Sequence, residues 1–108
     1  MKKRKVIICP AEREPYVTNV SDTLEALQKA VGGYIEAVTV LEGVVVLCNE
    51  EGQLMGLPEN RSFFLSGICG DCLICGVDGE EFASLSEPEC GKLLKLCKER
   101  FRKESGRA

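Results

Sequence analysis

Hydrophobic and polar positions follow two different periods along this chain, and the switches between them mark its elements. Residues 5–9 form a short apolar run halted by Pro10, and residues 16–20 alternate apolar with polar. Both patterns predict strands, with the charged stretch 11–15 as the turn between them. Ser21 or Asp22 then caps a helix: Asp22 and Glu25 have capping-box spacing, and Leu24, Leu27 and Val31 make one apolar stripe. Gly32-Gly33 ends that helix, because the residue after it takes a positive φ that glycine adopts without a Cβ clash. Residues 34–41 and 44–48 are rich in β-branched side chains and separated only by Glu42-Gly43, a hairpin signal. Asn49-Glu50-Glu51-Gly52 reads as a second turn, leading to a short strand at 53–57 that Pro58 stops.

The stretch 61–68 holds core material in Phe63, Phe64 and Leu65, and its period does not choose between strand and helix. Residues 71–77 read as a buried strand, Asp78-Gly79 as a hairpin turn and 81–85 as the return strand. Ser86-Glu87-Pro88-Glu89 is a capping box with proline in the first turn. Cys90, Leu93, Leu94, Cys97 and Phe101 follow at helical spacing, and the cations Lys98, Arg100, Arg102 and Lys103 gather where they suit the helix dipole. The order is therefore β-β-α-β-β-β-β-β-α. It predicts an α+β fold in one small domain, 1–108, with a core over about 5–101 and a basic tail at 102–108. The sheet is expected to be largely antiparallel, with both helices packed on it.

Composition narrows the chemistry. Leu, Val, Ile and Phe supply 31 of 108 residues, enough for a folded core. No apolar run approaches the ~20 residues that span a bilayer, so no membrane role is expected. The chain has no histidine, which excludes every His-dependent triad and His-ligated metal site. The net charge of −3 is unevenly spread: residues 1–5 carry +4, residues 92–108 carry +5, and the body between them −12. An acidic body repels nucleic acid and steers a basic partner or a cation toward itself. Met1-Lys-Lys-Arg-Lys resembles the start of a signal peptide, but only four apolar residues follow before Pro10. A cytoplasmic location is expected, with the seven cysteines kept as thiols.

Cys69-Gly-Asp-Cys72-Leu-Ile-Cys75 has the spacing of three ligands of an iron–sulfur cluster, with Cys90 or Cys97 as a fourth. A strand alternates its side chains, however, so Cys72 points away from the face that Cys69 and Cys75 share. Three thiolates arranged that way do not converge on a metal. Cys90 and Cys97 also fit the apolar stripe of the last helix, where a reduced cysteine is a small hydrophobe. The sequence therefore calls for no metal and no cofactor, with Cys-ligated metal or cluster binding as the alternative.

Three segments together resemble a known family: residues 23–36 (Thr-Leu-Glu-Ala-Leu-Gln-Lys-Ala-Val-Gly-Gly-Tyr-Ile-Glu), 49–60 (Asn-Glu-Glu-Gly-Gln-Leu-Met-Gly-Leu-Pro-Glu-Asn) and 70–76 (Gly-Asp-Cys-Leu-Ile-Cys-Gly). The chain resembles the domain of unknown function 3846 over roughly residues 5–100. That resemblance implies a cytoplasmic protein of phages, plasmids or conjugative elements, and it carries over no catalytic residue. The family pattern does not call for cysteines at 69, 72 and 75. Within the matching segments Glu36 stands out as a carboxylate in mid-strand, which needs a solvated face or a partner. With Tyr34, Asn49, Glu50 and Asn60 it is expected to form a polar patch at one end of the sheet. With no catalytic set recognised, the leading expectation is a non-enzymatic module that binds a protein or a small molecule through an acidic surface.

Overall fold

The computed structural model describes residues 3–63 and 67–105, so Phe64 and Leu65 lie outside the described residues. Six strands and two helices follow in the order β1 (Lys3–Cys9), β2 (Tyr16–Ser21), α1 (Leu24–Val31), β3 (Ile35–Leu41), β4 (Val44–Asn49), β5 (Cys72–Asp78), β6 (Glu81–Ala83) and α2 (Glu87–Ser105). The fold is α+β, as expected. All strand pairs are antiparallel, and the sheet runs β2-β1-β5-β4-β3 with β6 also paired to β5. No helix among the described residues is long and apolar enough to cross a membrane.

Burial follows from strand alternation. On one face Ile7, Cys9, Val44, Val46, Cys48, Cys72 and Ile74 meet Cys90 and Cys97 of α2. On the other, Val6, Val45, Leu47, Leu73 and Cys75 meet Leu27 and Val31 of α1. Each wholly buried aliphatic side chain contributes about 1.5–3 kcal/mol, so these two layers hold the sheet between its helices. β2 and β3 are the edges, and both expose much of their surface.

Local chemistry corrects several details. The cap of α1 is Thr23, whose hydroxyl accepts from the Ala26 N–H at 3.1 Å, while Asp22 instead pairs with Arg4. Leu24 stays exposed, leaving Leu27 and Val31 as the buried stripe. Gly32 ends the helix at φ 79°, as the sequence requires. In the β3–β4 hairpin only Gly43 takes a positive φ, 76°, and a bulge between Thr39 and Leu41 absorbs the twist. At α2 the Ser86 hydroxyl accepts from the Glu89 N–H at 3.3 Å while Glu89 reaches back to the Ser86 N–H, the reciprocal box.

The strand expected at 53–57 does not form. The Asn49 carboxamide oxygen accepts from the Glu51 N–H at 2.8 Å, which starts a turn, and Met55, Gly56 and Leu57 close successive turns on Glu51, Gln53 and Gly52. The chain then runs back on itself, with Glu59 bridged to Cys69 and Asn60 N–H bonded to the Ile68 carbonyl.

Gly76 marks the tightest packing at the sheet centre: a Cβ there would stand 2.7 Å from the Ser84 carbonyl oxygen. Gly76→Ala is expected to displace the segment that joins β6 to α2 and to cost about 1–3 kcal/mol, read as a fall in the urea midpoint with unchanged slope. A neutral substitution would contradict this packing.

Candidate functional site

Asn49 and Asn60 are buried, and each carboxamide is committed to backbone. Asn49 stands at the end of β4, where its Nδ2 donates to the Val31 carbonyl at 3.3 Å and so satisfies an orphan carbonyl in the last turn of α1. Gly33 permits that approach, since a Cβ there would sit 2.9 Å from Asn49 Nδ2. Asn60 donates to the carbonyls of Cys9 at 2.8 Å and Gly70 at 2.9 Å, and its Oδ1 accepts from the Ser62 N–H at 3.0 Å. These two side chains fasten residues 50–63 and 67–70 to the sheet. They are joints of the fold, not surface groups.

Tyr34, Glu36 and Glu50 are exposed. Glu36 is the second residue of β3 and not a mid-strand residue, which removes the burial cost that made it conspicuous. The Glu50 N–H bonds to the Tyr34 carbonyl at 2.9 Å, placing the start of the turn beside the start of β3. Glu36, Asn49 and Glu50 share one cavity of about 470 Å³ with Gln53, Leu54 and Cys69. Asn60 borders a different cavity, together with Glu59, Arg61 and Arg100. The structure therefore brings Tyr34, Glu36, Asn49 and Glu50 to one end of the sheet and separates Asn60 from them.

Among the described residues no lysine or arginine lines the Glu36–Glu50 cavity. The ion pairs Arg4–Asp22, Lys5–Glu87, Arg100–Glu104 and Arg102–Glu14 all draw on other carboxylates. Leu54 stands exposed in its wall at 87%, while Met55, 56% exposed, lines a separate cavity at the end of α1. Sequence reasoning missed both because it placed them in a strand. The signal that finds them is Asn49 followed by two glycines at 52 and 56, which favours turns over a strand.

The cysteines do not form a ligand set. Cys72 faces the α2 layer and Cys75 the α1 layer, while Cys69 lies before β5 begins. Among the described residues no three Cys, Asp or Glu side chains are grouped to hold a metal ion. Burial pushes the Cys72 thiol far above its ordinary range and the Cys75 thiol up to about 11, the nearby Arg4 charge offsetting part of the latter. Burial and the Glu36 carboxylate likewise raise Cys48. Such thiols stay protonated at neutral pH and pack as small hydrophobes.

Two outcomes follow. Changing Cys69, Cys72 and Cys75 together to Ala, Val and Val is expected to leave a cooperative melting transition, at a cost of roughly 1–3 kcal/mol. Loss of that transition, with metal restoring it in the parent, would mean that the thiols bind metal. Asn60→Ala is expected to cost about 2–4 kcal/mol, because three buried backbone groups lose their partner, whereas Glu36→Gln stays within about 0.5 kcal/mol. Equal effects in chemical denaturation would contradict the division between joint and surface.

A family model described as Domain of unknown function (DUF3846) matches residues 1–98. No curated protein and no solved structure matches the chain.

Proposed function

The chain belongs to the DUF3846 family, and from the surface just described we propose that it is a non-enzymatic binding module whose partner is a basic, partly apolar protein segment. One observation carries the reading: Glu36 and Glu50 share a cavity with the exposed Leu54 that no lysine or arginine among the described residues lines, and the exposed Tyr34 adjoins it through its carbonyl, bonded to the Glu50 N–H. Carboxylates with no cation paired to them among the described residues offer charge-assisted hydrogen bonds to lysine or arginine. The exposed Tyr34 and Leu54 supply apolar anchors of the kind that dominate interface energies. The −12 charge of the body adds long-range attraction for the same kind of partner and repels nucleic acid. In this reading the protein works in the cytoplasm as an adaptor carried by a mobile genetic element, acting on basic proteins of its host.

A fluorescein-labelled amphipathic peptide of lysine and leucine tests the reading by anisotropy. The parent is expected to bind it, with affinity falling at least ~10-fold between about 50 and 300 mM salt. The double substitution Glu36→Gln and Glu50→Gln is expected to weaken binding about tenfold while leaving the melting temperature unchanged. Binding that ignores both salt and the double substitution, or no binding at all, would overturn the proposal.

A further inference from the structure

Helix α2 packs over β1 and β2, and toward β3 and β4 the described residues cover the same face of the sheet less closely. A cavity of about 370 Å³ lies there, walled by Val40, Val46, Phe63, Ile74, Leu93 and Leu96. At the ~30 Å³ that a water molecule occupies in the liquid, that space takes roughly a dozen non-hydrogen atoms. Among the described residues no charged side chain lines it.

Two features distinguish this space from a packing gap. Ser62 lines it and is only 2% exposed, yet its hydroxyl has no hydrogen-bond partner among the described residues. A buried hydroxyl left unpaired carries its desolvation cost without return, so an oxygen or N–H brought to it by a ligand is rewarded. Cys97 also borders the space, at 7% exposure. It stands beside the buried Cys9 thiol, an interaction that lowers the Cys97 pKa and raises that of Cys9.

We propose that this cavity binds a small uncharged molecule with an apolar body and a single hydrogen-bonding oxygen, such as a medium-chain alcohol or ketone, whose oxygen pairs with the Ser62 hydroxyl. The apolar walls select the body, and Ser62 fixes the orientation. A carboxylate or phosphate ester is rejected, because its charge would be buried where no cation meets it. The site lies away from the Glu36–Glu50 cavity and shares no lining residue with it, so its occupancy is independent of the proposed protein partner.

Octanol and octanoate at pH 8 are the probes, tested on the full chain. Octanol is expected to raise the melting temperature and to slow alkylation of Cys97 by iodoacetamide about tenfold, as a bound ligand shields the thiol. Cys69, partly exposed and outside the lining of this cavity, serves as the internal control and should react as before. Octanoate should do neither. Ser62→Ala is expected to weaken octanol binding about tenfold while leaving the empty protein at least as stable as the parent, since it removes an unpaired hydroxyl. Equal binding of octanol and octanoate, an unprotected Cys97 in the parent, or unchanged octanol affinity in Ser62→Ala would each overturn the proposal.

Discussion

A strand with apolar side chains on both faces must find cover above and below, and β5 imposes that demand on everything around it. Cys72 and Ile74 point to one layer, Leu73 and Cys75 to the other, and all four are essentially inaccessible. One helix cannot serve both layers. The chain supplies two, α1 over one face and α2 over the other, and flanks β5 with β1 and β4, whose inner residues alternate in the same way. The antiparallel register sets Cys9 opposite Cys72 and Leu47 opposite Leu73, so each layer is filled from three adjacent strands.

Much of this was legible because it is local. Turn glycines at 32, 43 and 79, the capping box at Ser86 and the β-branched runs each act within a few residues, and all sit where periodicity placed them. The two-sided strand was legible as well, since an unbroken apolar run in a hairpin context implies burial on both faces. What escaped was non-local. Nothing near Asn60 in sequence tells that its amide reaches the Cys9 carbonyl, 51 residues away, or that Asn49 closes the end of α1 from 18 residues away. Read as polar residues in turns, both resemble surface groups. Folded, they are buried ties.

That reassignment changes where chemistry can occur. With Asn49 and Asn60 spent on backbone, the polar end of the sheet is left with Glu36 and Glu50, exposed and with no lysine or arginine among the described residues lining their cavity. The 50–57 turn, held in place by Asn49, then sets Leu54 beside them. The seven cysteines divide in a similar way. Cys72 and Cys75 are volume in the two layers, raised in pKa by burial, and Cys97 differs because it borders a cavity and its pKa is lowered beside Cys9.

β1, β4 and β5 form one unit, and Asn60 locks Ser62 and Gly70 onto it. Native-state amide hydrogen exchange measures this directly, because it separates local opening from global unfolding. The amides of Ile7, Val46 and Ile74 are predicted to exchange only through global unfolding, and those of Ser62 and Gly70, tied through Asn60 and Pro58, to be protected nearly as well. Exchange of Ser62 and Gly70 at the rate of unprotected amides, while β5 remains closed, would show that they are not locked to the sheet and would contradict the account.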